Sequence, residues 1–397
     1  MITTINNKHK KLNVPNLRFP EFEEEWEESS IGEMFDLYSG NTPSRLNKEH
    51  FKGTVNWISS GELKEHYLSS SKEQISEEAA KNLKLLPVGT FVIAIYGLEA
   101  EGVRGTGSIT QEPSTISQAC MSFIPKGVIE NEFLYSWYKK HGNVIGIRYA
   151  QGTKQQNLSY DILEKFRIAY PNTKEQEKLN KFISLLDKRI ATQNKIIEDL
   201  KMLKCAIIEK VYSEIQGKEY SYGQLFDVVN ERNKQMEYSN ILSASQEKGM
   251  VNRVDLNLDI QFERSNINTY KIVKKGDYVI HLRSFQGGFA FSDKLGVCSP
   301  AYTILRPNSL LEYGYLSNYF TSLRFIKSLV LVTYGIRDGR SINVDEWLRM
   351  KITIPPKEHQ QYIVKVIGTF ERKIEDEEAY AAQLSIQKQY LLRQMFI

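Results

Sequence analysis

The sequence predicts an α+β protein of two mixed, β-rich globular blocks, each followed by a long helix, the two helices pairing as an antiparallel coiled coil. Three observations predict it. The 397-residue chain repeats itself at a spacing of 184, so that residues 166–213 lie over 350–397 without a gap. In that overlay Pro171 falls on Pro355, Gln176 on Gln360, Ile183 on Ile367, Asp187 on Glu371, Ile190 on Ile374, Leu200 on Leu384 and Lys204 on Lys388. The repeated segments alternate apolar residues at intervals of four and three, the seam of a coiled coil. Ahead of each lie short, turn-bounded runs of strand-forming residues. A period this long excludes a solenoid and gives one block built twice, with an approximate two-fold axis.

Residues 1–16 form an N-terminal arm and 17–173 the first block. Its strand-like runs are 55–58, 89–96 and 119–124, with a helical stretch at 132–142; the glutamate run at 21–28 reads as a solvated turn or helix face. Residues 174–217 hold the central helix. It has no Pro or Gly through 213, and its seam is Leu179, Ile183, Leu186, Ile190, Gln193, Ile197, Leu200, Lys204, Ile207 and Val211. Asn172 and Thr173 are capping candidates at its start. At 1.5 Å per residue it is roughly 60 Å long. The second block, 218–356, echoes the strands at 276–283 and 301–306 and a helical stretch at 312–329. The last helix, 357–397, has the seam Ile363, Ile367, Phe370, Ile374, Glu377, Ala381, Leu384, Lys388, Leu391 and Met395, with Gly368 as its weak spot.

Within the blocks the repeat drifts, from 191 at Gly32/Gly223 through 187 at Gly89/Gly276 to 182 at Pro125/Pro307. Constant helices with variable blocks describe a scaffold carrying two diverged heads, whose loops tolerate insertion and carry specificity. Polar residues interrupt both seams at the same two levels. Antiparallel pairing about a two-fold axis then sets Lys204 opposite Glu377 and Gln193 opposite Lys388. Polar seam residues of this kind fix register. Phe182, Ile196 and Leu203 flank the seam as exposed apolar residues, which mark an interface.

Composition excludes several classes. No apolar run approaches the roughly 20 residues that span a bilayer, and the start MITTINNKHKK lacks a signal peptide's apolar stretch. Cys120, Cys205 and Cys298 are odd in number and lack metal-ligand spacing, so they read as small core hydrophobes in a reducing cytoplasm. Residues 17–170 carry 16 Lys+Arg against 21 Asp+Glu (−5), and residues 220–351 carry 17 against 13 (+4). The strongly basic balance that announces many nucleic-acid binders is absent. So are a phosphate-binding Walker loop, a G-x-S-x-G elbow, an H-E-x-x-H pair and the Asn/Asp-Pro-Pro-Tyr/Phe loop of amino-methyltransferases. The glycine-rich stretch 102–107 has the wrong spacing for a dinucleotide site and reads as a flexible loop. The chain is expected to be non-catalytic and to hold no metal or cofactor.

Several segments together resemble the specificity subunit of type I restriction-modification systems. Asn16-Leu17-Arg18-Phe19-Pro20-Glu21-Phe22, with Trp26 and Ile31-Gly32-Glu33, is similar to that family's approach to its first target-recognition domain. Ile168-Ala169-Tyr170-Pro171, Glu175-Gln176-Glu177-Lys178-Leu179 and Leu186-Asp187-Lys188-Arg189-Ile190 resemble its domain-to-helix signature, and 391–397 its C-terminus. The likeness covers essentially the whole chain. It departs at Glu358-His359-Gln360-Gln361, where the family favours Glu-Gln, and in the acidic first block. The resemblance implies that each block reads one half of a bipartite double-stranded DNA site. The helices would then fix the spacer and dock two methyltransferase subunits. Those partners would supply S-adenosylmethionine binding, and restriction subunits would supply ATP- and Mg2+-dependent cleavage.

Base reading in the major groove calls for Arg to guanine, Asn or Gln to adenine, and Ser or Thr more loosely. Candidates in the first block are Asn41, Thr42, Ser44, Arg45, Tyr96, Arg104, Lys154, Gln155, Gln156 and Asn157. In the second they are Arg283, Ser284, Gln286, Tyr334, Arg337 and Arg340, with Tyr96 and Arg283 aligned at the 187 register. Each alone also fits a solvated loop residue. Two other functions remain open on the sequence: an adaptor whose heads bind proteins, and a stand-alone methyltransferase with a disguised loop.

Overall fold

The computed structural model describes residues 13–100, 102–152, 154–245, 248–256, 264–281, 288–334 and 341–397. They divide into two compact units, one of residues up to Gln193 with Tyr380–Ile397, the other Asn194–Ala379. Each unit thus takes part of both long helices, Thr173–Ser213 and Lys357–Met395.

The first unit holds β1 (Glu27–Ser30), β2 (Phe35–Ser39), β3 (Val55–Ile58), β4 (Tyr67–Leu68), β5 (Glu73–Ile75), β6 (Phe91–Ala94), β7 (Gly107–Thr110), β8 (Ser114–Ile116), β9 (Cys120–Pro125) and β10 (Arg167–Tyr170). Its main sheet runs β2-β9-β6-β7-β4, a smaller one runs β5-β3-β8, and β1 pairs with β10. In the second unit β11 (Lys218–Ser221) pairs with β22 (Lys351–Ile354), as β1 does with β10. Between them lie β12 (Phe226–Val229), β13 (Leu242–Ser245), β14 (Gly249–Asn252), β15 (Lys271–Val273), β16 (Tyr278–Ile280), β17 (Phe289–Phe291), β18 (Gly296–Cys298), β19 (Thr303–Pro307), β20 (Thr333–Tyr334) and β21 (Ser341–Ile342). Its main sheet is β12-β19-β16-β17, the strand order of β2-β9-β6-β7. Phe35 pairs with Pro125 and Phe226 with Pro307, so each drifting register of the repeat marks an equivalent strand. Both sheets bury large apolar side chains at matching strands, Phe35, Phe91 and Phe123 in one and Phe226, Tyr278 and Leu305 in the other.

The β1–β10 and β11–β22 ribbons were not foreseen. Part of the glutamate run is strand β1, where Glu28 accepts a 2.6 Å bond from Arg167, and Trp26 beside it is buried. Polar composition hid β1 and β11, and their partners β10 and β22 are only four residues each. The helical stretch expected at 312–329 is broken into turns: Tyr319–Thr321 and Leu329–Val332 are 3-10 and only Leu323–Ser328 is α-helical. Among the cysteines Cys120 and Cys298 are buried, but Cys205 is exposed, because its position on the helix lies off the seam.

Each helix seats its own block through one glutamine. Gln176 is fully buried; its Oε1 accepts from Glu130 N at 3.0 Å, and its Nε2 donates to Val128 O at 3.2 Å and Pro171 O at 2.9 Å. Gln360, its repeat mate, accepts from Glu312 N at 2.7 Å and donates to Leu310 O at 3.0 Å and Pro355 O at 2.9 Å. The side chain's one acceptor and two donors are all satisfied, as burial requires. Asn172 caps the central helix, accepting from Glu175 N at 3.0 Å. The first unit adds a clamp: Arg18 forks onto buried Glu175 at 2.8 and 2.7 Å, and Trp26 Nε1 donates to the same carboxylate. Position 359, the repeat mate of Glu175, is a histidine, so among the described residues of the second unit the clamp has no equivalent carboxylate. Phe182 is not an exposed seam-flanker, because Phe19 packs edge-on against it at 5.8 Å. Ile196 and Leu203 are exposed.

In both units the helices run antiparallel. Seam residues Leu179, Ile183, Ile197, Ile367, Ile374 and Leu384 are buried, and Leu186, Ile190, Leu200, Ile363 and Phe370 are half-buried. The register differs from the expected one. In the second unit Lys204 Nζ meets Glu371 at 2.8 Å, not Glu377, which pairs with Lys373. In the first unit Lys388 bonds Asp187, not Gln193. These pairs are repeat mates of one another. The duplicated lysines demand duplicated carboxylates, and 187/371 are acidic in both copies, whereas 193/377 are not.

Asp187 also faces His66, which lies 3.5 Å away at Nδ1, while His66 Nε2 meets Glu132 at 2.9 Å. The imidazole is stacked between Tyr67 and Tyr135 at 4.1 and 3.9 Å. Burial pulls its pKa down, but hydrogen bonds and charge from Asp187 and Glu132 outweigh that and hold it above the ordinary value. Burial likewise works against ionised Asp187, yet His66 and Lys388 hold its pKa low. Lys139, pushed down by burial, and Glu65 complete the charges around this cluster.

Lys204→Glu should lower stability by about 0.5–1 kcal/mol, the scale of a partly exposed pair. Glu371→Lys should restore it in thermal melts and Glu377→Lys should not. For His66, the raised pKa means its stabilisation is full below about pH 6.5, the ordinary value, and is lost as pH rises through the folded value. Melting of the first unit should therefore weaken on going from mildly acidic to mildly alkaline buffer. His66→Gln should flatten that slope.

Candidate nucleic-acid interface

The strand pairings gather the candidate loops at one end of each sheet. In the first unit β2 ends at Ser39, paired with Met121, and β6 ends at Ala94, paired with Cys120. Segments 40–47, 95–106 and 117–119 therefore leave the sheet together. The helix Asn131–Tyr149 delivers 150–157 to the same place. There Leu98 N donates to Gln156 O at 3.0 Å and Leu158 N to Ile95 O at 2.8 Å, while Gln151 and Asn157 bond each other through both backbones. The opposite sheet end, at Phe35 and Pro125, leads to the Gln176 seat. All ten first-block candidates thus collect at the end of the sheet away from the helix.

Several of these residues bond within the protein, Arg45 among them although its side chain stays 57% exposed. Arg45 forks onto Glu73 at 2.9 and 2.7 Å and lies 4.4 Å over the Phe51 ring. Arg104 Nη2 donates to Gln156 Oε1 at 2.8 Å. Gln156 N donates to Glu99 at 2.7 Å, and Asn157 Oδ1 accepts from Gly97 N. Asn41 receives Trp57 Nε1 on its carbonyl at 3.0 Å, and Thr42 bonds Gln118. These contacts shape the loops. Glu73, Glu99 and Gln118 had no signal in the sequence, because each acts through a partner more than 25 residues away. Asn41, Ser44, Lys154 and Gln155 are exposed, and Tyr96 is 37% exposed. Gly105 has φ +71°, and a Cβ there would come within 2.8 Å of Asn143 N, so glycine permits loop and helix to touch.

In the second unit β12 ends at Val229 and β16 at Ile280, paired with β19 at Ile304 and Thr303. Segments 230–241 and 299–302 leave one sheet end. Arg283, Ser284, Gln286, Arg337 and Arg340 lie outside the described residues, as does the side chain of Tyr334. Their described flanks are His281, which donates from N to Gly288 O at 3.0 Å, and the β20–β21 ribbon. Among the described residues no group of three His, Cys, Asp or Glu could hold a metal ion, and no helix is long and apolar enough to cross a membrane.

The sequence profile of the type I restriction modification DNA specificity domain matches residues 23–202 and again 217–385. The chain belongs to this family. The MjaIX specificity subunit of Methanocaldococcus jannaschii is 27% identical over 214 residues, 51% of this chain and 48% of that protein. The EcoR124I/EcoR124II specificity subunit of Escherichia coli is 31% identical over 189 residues, 46% of this chain and 45% of that one. The matched stretch is about half the length of these curated relatives. The S subunit of a type I restriction-modification system from M. genitalium shares the fold at 14% identity, with a TM-score of 0.54 over 97% of this chain and 99% of that one. Both profile matches enclose one block and most of its helix, the segmentation that the specificity-domain repeat imposes.

The loop contacts give one prediction. Gln156→Ala removes the acceptor of Arg104, worth about 1 kcal/mol net for a hydrogen bond. Amide exchange at Leu98 and Asn157 should rise about fivefold, with β9 unchanged.

Proposed function

We propose that this chain is the DNA-recognition subunit of a type I restriction-modification complex and does no chemistry itself. Each unit reads one half of a two-part duplex site. The observation that carries this is the placement of the loops. In both units a sheet of one strand order sends its variable loops to the end opposite the glutamine seat. Constant seats with divergent loops suit two readers of different half-sites. In the first unit the exposed Asn41, Ser44, Tyr96, Lys154 and Gln155 would meet bases and phosphates, while Arg45, Arg104, Gln156 and Asn157 set the loop shapes. In the second, Arg283, Ser284, Gln286, Tyr334, Arg337 and Arg340 would have the same task.

The long helices would set the unread spacer, as half-site spacing does in other duplex-binding proteins. Their exposed apolar residues, such as Leu185, Met202 and Ile386, would dock two methyltransferase subunits. Those subunits would bring S-adenosylmethionine to adenine, and restriction subunits would use ATP and Mg2+, all in the cytoplasm. The test is a genome-wide map of methylated adenines with and without the gene. A two-part motif with a fixed gap should vanish on deletion. An unchanged map, or loss of a single undivided motif, would overturn the reading.

A further inference from the structure

Each unit presents a long apolar side chain at the tip of the loop that follows its first sheet strand. Leu46, in the loop after β2, is 97% exposed, and Met236, in the loop after β12, is 59% exposed. Scattered apolar residues are ordinary on a protein surface. These two differ because the loops around them are built. Leu46 occupies a turn closed by Asn47 N donating to Ser44 O at 3.3 Å. Arg45 beside it is anchored on Glu73, a ring nitrogen of His50 meets Ser44 O at 3.2 Å, and Asn47 accepts from Glu49 N at 3.1 Å.

Met236 closes a turn onto Asn233 O at 2.9 Å. Asn233 is buried and spans the loop, donating from Nδ2 to Tyr238 O at 2.7 Å and accepting from Tyr238 N at 3.2 Å. The backbone at Met236 has φ +53°, the one left-handed non-glycine residue among the described residues. Side chains disfavour that conformation, and it persists only where the surroundings impose it. A fixed loop that holds an apolar group in water gains nothing in the free protein. The gain must come on binding.

The surroundings select the partner. Leu46 stands among Asn41, Thr42 and Ser44 at the same sheet end as Tyr96 and Gln155, and Met236 among the exposed Glu231, Arg232, Lys234, Gln235 and Glu237. A polar rim around a single apolar tip matches the mixed polar and methyl edges of a duplex groove, not an apolar protein face. We propose that Leu46 and Met236 are specificity-determining residues, each packing on the 5-methyl group of a thymine in the major groove of one half-site. That methyl is the apolar group that bases display among polar edges in the major groove. The proposal rests on the DNA-reading function above and adds which atoms two uncharged side chains read.

The test uses the full chain assembled with its methyltransferase subunits and a cognate duplex in which each thymine in turn is replaced by uracil. Removing the methyl at one thymine in each half should weaken binding by the wild type about fourfold, the worth of one buried methyl group. That penalty should vanish in one half for Leu46→Ser and in the other for Met236→Asn, which keeps a residue tolerant of the left-handed backbone. Equal penalties in wild type and variants would overturn the proposal. So would the absence of any uracil-sensitive thymine. A wild type that binds cognate and scrambled duplexes alike would instead overturn the DNA-reading function itself.

Discussion

Two buried glutamines carry the constraint on which each unit depends. A block packed on a helix by apolar contact alone can slide or rotate at little cost, because hydrophobic attraction has no direction. Gln176 and Gln360 remove that freedom. Each engages one amide and two carbonyls, and displacing the block would leave several buried polar groups unpaired at about 1–3 kcal/mol apiece. Because the helix begins at this seat and the sheet stands on it, the distance from helix to outer loops is fixed by the length of the strands in the main sheet. Everything proposed about reading follows from that fixed distance.

The first unit adds further ties. Arg18 and Trp26 converge on Glu175, and His66, Glu132, Asp187 and Lys388 form a charged cluster between block and helices. Charges so placed are a poor source of net stability, since desolvation offsets much of the attraction. They do specify geometry: only one placement of the block satisfies every partner. The second unit has His359 in place of the glutamate, and its Glu371 is held by Lys204.

How much of this was legible depended on range. The long helices and their seam could be read because each rests on periodicity within about 40 residues, and the two-block order because the repeat at 184 shows directly in the residues. Strands β3, β6 and β16 fell inside the expected runs and β9 and β19 overran theirs by one residue, since their apolar cores announce themselves locally. The ribbons β1–β10 and β11–β22 did not, because their partners lie some 140 residues apart and their exposed faces are polar. The seam register failed for another reason: lysine side chains are long enough to reach past the facing level to a carboxylate, so matching levels do not identify partners. At the candidate interface the loops were found but their division of labour was not. Arg45 and Arg104 look like base readers by residue type, yet each is already engaged within the protein, a fact set by Glu73 and Gln156.

Both glutamine seats grip main-chain atoms of the block: the amides of Glu130 and Glu312 and the carbonyls of Val128 and Leu310. Main-chain groups are the same whatever amino acids supply them. A block of quite different composition could therefore be grafted onto either helix and still be held in the same attitude, provided its chain turned there alike. The molecule resembles a handle with a standard socket, in which evolution can exchange the tool without recutting the shaft.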